Sequence, residues 1–125
     1  MIKRANVVKL PKAADGKSLA AVLQKAGTTT VRDPYVLFDW DEANGKRYQV
    51  GYAILFPGCR TGGHAHEDLE EIYHVKSGYG IMHIGDEAFD IGPGDTWIVP
   101  LQQEHWTENP SNLPLEMFWT VIRVK

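Results

Sequence analysis

The sequence predicts an all-β body closed into a sandwich or barrel, and three observations carry that prediction. Twelve Gly and seven Pro, concentrated in the second half, separate apolar runs of four to eight residues. YVLFDW (35–40) and YQVGYAILF (48–56) flank Asn44-Gly45, a hairpin signature in which those two residues supply the positive-φ positions of a tight turn. The closing run LEMFWTVIRV (115–124) is too long and too β-branched to be a loop and reads as a final strand.

Element by element, residues 1–15 carry the weakest pattern, with VVKL (7–10) read as an edge strand. GKSLAAVLQKAG (16–27) is the one helix, over about residues 18–26. Ser18 caps it, Leu19, Val22, Leu23 and Ala26 recur at helical spacing, and Gly27 ends it. It is expected to pack on the outside of a sheet. After Asp33 and Pro34 the two strands around Asn44-Gly45 follow as antiparallel neighbours. From Pro57 onward the breaks are regular: Gly62-Gly63, Ser77-Gly78, Gly85-Asp86, Gly92-Pro93-Gly94, Pro100 and Asn109-Pro110. Strands at that spacing suit a closed β architecture. No internal repeat, linker or low-complexity tract interrupts them.

A chain of 125 residues suits one domain, able to bury roughly two-thirds of the surface its unfolded form exposes. Its 13 Lys and Arg against 16 Asp and Glu give a net charge of −3 with the signs interspersed. No basic run would track a phosphate backbone, so nucleic acid is excluded as an expected partner. MIKRANVVKL lacks the apolar stretch of a signal peptide, and no run approaches a membrane span. The single cysteine, Cys59, leaves no internal disulfide, and its default role is a small buried thiol. A soluble cytoplasmic protein with no membrane partner is the expectation.

The chemistry concentrates in GGHAHEDLEEIYHV (62–75). On a strand His64 and His66 would share a face, as would Glu71 and Tyr73 on the next strand. A further donor comes from His105, which opens the strand after Pro100. Three imidazoles and one carboxylate suit one divalent first-row metal, with Fe, Mn, Ni, Zn and Co undistinguished. In an octahedral ion such a set leaves two positions open, the mark of a reactive site. His74, next to inward-facing Tyr73, and His83 are assigned no ligand role.

These residues resemble the cupins, small double-stranded β-helix (jelly-roll) proteins. Their first motif is matched by Gly58, His64, His66, Glu71 and Gly78, and their second by Gly94, Pro100, His105 and Asn109, over about two-fifths of the chain. Fifteen residues between Gly78 and Gly94 look like the short intermotif hairpin of small microbial cupins. Gln102 stands where the family motif has Gly, so the turn delivering His105 is expected to differ in shape. Glu70 and Glu71 both satisfy the permitted gap after His66. The six residues from Glu71 to Gly78 favour Glu71. The resemblance divides the single domain 1–125 into an N-terminal extension (1–33) and a cupin core (about 34–125), with motifs at 58–78 and 94–109.

The resemblance implies a metal-dependent enzyme acting on a small carboxylate- or carbonyl-bearing molecule. In an isomerase or lyase the ion acts as a Lewis acid and Tyr73 serves as the base. Alternatives are an Fe(II)-dependent dioxygenase and a cupin that binds a sugar or signal molecule without turnover. Glu-Ile-Tyr and Leu-Glu-Met-Phe-Trp also look like segments of the single-domain cupin lyases that cleave dimethylsulfoniopropionate, although those enzymes usually have three residues between His-x-His and Glu and this chain has four. Trp119, sharing a strand face with Leu115, Met117 and Val121, is a candidate pocket residue, and Gln103 and Trp106 are candidates for the pocket mouth. Cupins are frequently dimers, so a homodimer is expected.

Overall fold

The computed structural model describes residues 2–7 and 32–124. Eight strands follow in order: β1 (Arg32–Phe38), β2 (Tyr48–Leu55), β3 (Leu69–Ser77), β4 (Gly80–Ile84), β5 (Glu87–Ile91), β6 (Thr96–Val99), β7 (His105–Glu108) and β8 (Leu115–Arg123). They form a five-stranded sheet, β1-β2-β8-β3-β6, and a three-stranded sheet, β5-β4-β7, paired antiparallel throughout. This is the expected all-β jelly roll. The helix predicted over 18–26 lies outside the described residues, as does VVKL beyond its first residue. Among the described residues the helical elements are 3-10 turns, and no helix is long and apolar enough to cross a membrane.

Alternation along the strands builds the core. On β8, Leu115, Met117 and Val121 are buried, and on β2 Ala53 and Leu55 are buried on the same inner side. Of these, Leu55, Leu115 and Met117 meet Val75, Met82, Ile91 and Val99 between the sheets. Each such side chain contributes about 1.5–3 kcal/mol by leaving water. On the opposite face of the larger sheet, the hydroxyls of Tyr52 and Ser77 both donate to the Glu116 carboxylate, tying β2, β3 and β8 together.

One cross-strand pair shapes the interior. Gly51 lies opposite Trp119, and a Cβ at Gly51 would sit 1.9 Å from the indole. The missing side chain is the space the ring occupies, so glycine is required there for steric reasons.

One turn differs from expectation. β1 and β2 are antiparallel neighbours as predicted, but no two-residue turn joins them. The connection runs through 3-10 turns at Trp40–Glu42 and Asn44–Lys46, the first closed by a capping box between Asp39 and Glu42. Positive φ falls on Gly45 and Lys46, one residue later than predicted. That capping box consumes the residues a tight hairpin would have extended as strand. In the turn before His105 the residue at the motif's glycine position is left-handed: Gln102 has φ 65°.

Candidate metal centre

His64 and His66 do not stand on a strand, contrary to the prediction. They belong to an irregular segment, 58–66, hydrogen-bonded alongside β7 and the turn before it. Gly58 N donates to Asn109 O, Thr61 N to Thr107 O, and Gln102 N to His66 O at 2.7 Å. His64 and His105 exchange backbone hydrogen bonds of 3.2 and 2.9 Å, which places their imidazoles side by side with centroids 4.1 Å apart. Registration against β7, and not strand alternation, brings the two motifs together.

Glu71 supplies the carboxylate from β3 and is 4% exposed. Its Oε1 lies 2.6 Å from His66 Nε2, 3.4 Å from His105 Nε2 and 3.5 Å from His64 Nε2. One donor atom from each of the four residues falls within 4.8 Å of every other. Between the two glutamates left open by the motif, Glu71 is the one in this cluster.

The electrostatics suit a cation. Burial alone would raise the Glu71 carboxyl, but the His105 and His64 imidazoles and the Tyr73 hydroxyl around it together hold it well below the usual carboxylate range. His105 Nδ1 donates to the Gln103 carbonyl at 3.0 Å, since a carbonyl can only accept, and this orients the ring with Nε2 turned inward. That Nε2 is buried without a hydrogen-bond partner and faces an anionic oxygen. The positive charge that a protonated imidazole supplies to this carboxylate is one that a metal ion could supply in its place, with both atoms as its donors. The four residues could therefore hold a metal ion, with the Gln103 carbonyl orienting one ligand from behind.

His64, Glu71 and His105 open on a cavity of about 180 Å³. Its apolar wall includes Ala53, Leu55, Met117, Trp119 and Val121. Tyr73 also lines it, stacked on Trp97 with ring planes 16° apart and its hydroxyl hydrogen-bonded to the Glu71 carboxylate. Trp119 and Trp106 line the cavity; the Trp106 ring stacks on His83 at 3.4 Å and lies under the Arg60 guanidinium at 3.8 Å. Gln103 is not among the lining residues, because it sits in the exposed turn and only its backbone carbonyl turns toward the site. His74 is exposed on the opposite face of β3 and pairs with Thr96, and His83 pairs with Glu108, so neither joins the cluster. Half-buried Cys59 packs against the core.

Other contributors escaped sequence reasoning. The Gln102 N–H, which fixes the His66 segment, is a backbone group with no side-chain signal. Ala53 and Leu55 had one: the two-residue alternation of β2 puts them on the Gly51 face.

Comparisons with known proteins agree with this arrangement. The family model described as "Cupin domain" matches residues 51–121, which contain all four clustered residues. A Methanocaldococcus jannaschii protein, MJ1618, whose function is uncharacterized, is 36% identical over 73 residues, 58% of each chain. A mannose-1-phosphate guanylyltransferase of Salmonella muenchen is 28% identical over 74 residues, 59% of this chain but 16% of that enzyme. The chain thus spans 58% and 16% of the lengths of these two relatives. A crystal structure from Thermotoga maritima, of a predicted oxalate decarboxylase, superposes with a TM-score of 0.71 at 27% identity, covering 74% of this chain and 81% of that one. A match over more than half the chain, on the strands and the segment that converge at Glu71, makes this protein a member of the cupin family.

Proposed function

We propose that this cupin is a metal-dependent enzyme acting on a small carboxylate- or carbonyl-bearing molecule, of the isomerase or lyase type. The observation that carries the reading is the buried His105 Nε2, 3.4 Å from the Glu71 carboxylate, at the wall of a mostly apolar cavity. A closed structural site would have no such opening. A divalent ion held by His64, His66, Glu71 and His105 would act there as a Lewis acid on a substrate oxygen and acidify the adjacent C–H.

The chain's own contribution to proton transfer is Tyr73. Among the described cavity-lining residues it is the ionisable group outside the cluster, and its hydroxyl reaches Glu71. To take a proton from a substrate carbon it would first give its own to solvent and act as the phenolate, a form that a neighbouring divalent ion would favour. The apolar wall keeps water away from the reacting carbon. The name of the Thermotoga maritima relative, a predicted oxalate decarboxylase, agrees with carboxylate chemistry on this fold. By resemblance, the protein works as a homodimer.

The test uses anaerobically purified protein. Its metal content is measured, and small oxo acids and uronates are screened for loss of substrate and for oxygen uptake. Metal near one equivalent with oxygen-independent turnover, lost in Tyr73→Phe while metal content is unchanged, is the expected result. Turnover that consumes oxygen in step with substrate would replace this reading by an Fe(II) dioxygenase. Tight binding with no turnover would replace it by a ligand-binding cupin.

A further inference from the structure

From the composition of the cavity wall we infer the substrate class: a monoanion whose single chelating head faces the four-residue cluster and whose short tail is apolar. This rests on the proposed metal-dependent reading and narrows it. Pro34, Ala53, Leu55, Met117, Trp119 and Val121 surround the space beyond the cluster. Among the described residues no lysine or arginine lines it; Arg60, stacked on Trp106, is not a lining residue.

The two threonines and the tyrosine on the wall already have partners. The Thr107 hydroxyl donates to Met82 Sδ at 3.3 Å, Thr61 Oγ1 accepts from Thr107 N at 2.9 Å, and the Tyr73 hydroxyl is held by Glu71. Seating a polyhydroxylated sugar here would strip water from several hydroxyls and leave them short of partners.

Charge counting gives the same answer. A divalent ion with three neutral imidazoles and one carboxylate carries a net charge of +1. One substrate carboxylate neutralises it. A second carboxylate would lie unpaired against Leu55, Met117 and Val121, where an isolated charge is disfavoured. Size adds a further limit, since about 180 Å³ falls below the roughly 300–1,000 Å³ of pockets for drug-sized ligands. The Trp119 ring lodged over Gly51 forms part of that limit.

The experiment titrates the zinc-loaded protein with 4-methyl-2-oxopentanoate, 2-oxoglutarate and glucuronate by calorimetry. The first two share a 2-oxo acid head and differ in carrying an apolar or a charged tail. The expected result is binding of 4-methyl-2-oxopentanoate about 100-fold tighter than 2-oxoglutarate, with glucuronate weaker still. Pyruvate, with the same head and almost no tail, should lose about fourfold for each methylene removed. Binding of 2-oxoglutarate or glucuronate as tight as that of 4-methyl-2-oxopentanoate would overturn the inference, as would binding of none of them. Selective binding without turnover would leave this inference standing while removing the catalytic reading; turnover confined to 2-oxoglutarate would do the reverse.

Discussion

Asn109 closes the second motif and is fully buried, at 0% exposure. It is not a ligand; it pins the C-terminal end of β7 to β2 and to the loop leading into β8. Its amide nitrogen donates to Leu55 O at 3.1 Å and Leu113 O at 2.8 Å, and its Oδ1 accepts from Ser111 N and Oγ at 3.1 and 2.7 Å. Its backbone N–H and carbonyl pair with Cys59 O and Gly58 N, at the start of the segment that carries His64. In Asn109→Ala the Ser111 groups, nearer the surface, recover water. The exposed Leu113 carbonyl keeps the Ser111 hydroxyl as a donor at 3.1 Å, so the buried Leu55 carbonyl is the one left dry, at roughly 1–3 kcal/mol. The expected loss is about 2 kcal/mol, or roughly 6–10 °C in melting temperature for a chain of this length. Asn109→Asp keeps the shape but turns an anionic oxygen toward the two carbonyls, so at neutral pH it should be worse than alanine. Urea unfolding with unchanged slope, checked by thermal melts, measures both variants. An alanine variant within about 1 kcal/mol of the parent, or an aspartate variant milder than alanine, would refute the account.

Two other outcomes are expected. Glu71→Ala should abolish retention of the metal after desalting, measured by elemental analysis, whereas Glu70→Ala, outside the cluster, should keep it; the opposite pattern would reassign the ligand. Gln102→Gly should raise stability by about 0.5–1 kcal/mol, because relief of the left-handed strain exceeds the added entropy of the unfolded chain, and should leave metal retention intact because the N–H to His66 O remains. A lower midpoint in urea for Gln102→Gly would contradict the strain argument.

Much of the site was legible because its donors carry side-chain signals at short spacing. His64 and His66 are one residue apart, Glu71 follows on a strand whose alternation also turns Tyr73 inward, and His105 opens its own strand after a proline. The reason the histidines converge was not legible in the sequence. It depends on backbone pairing of 58–66 with β7, between segments some forty residues apart, and no local pattern reports such pairing. The β1–β2 connection shows the converse: Asn44-Gly45 is a strong local hairpin signal, yet the Asp39–Glu42 capping box took the preceding residues into a 3-10 turn and moved the positive φ onward. The missing motif glycine was legible as a departure, but its outcome was not. Gln102 accepts an unfavourable φ because the hydrogen bond from its N–H to His66 and the neighbouring Gln103–His105 contact hold the turn in place.

By itself the sequence determined the strands, their inward faces and the chemical identity of the donors, since these follow from residue type and from periodicities of two. Only the tertiary structure decided that four donors meet within 4.8 Å, that Glu71 and not Glu70 is among them, and that the space beside them is apolar and uncharged. Convergence and enclosure are properties of residues distant in the chain, and they exist only once the two sheets have closed on each other.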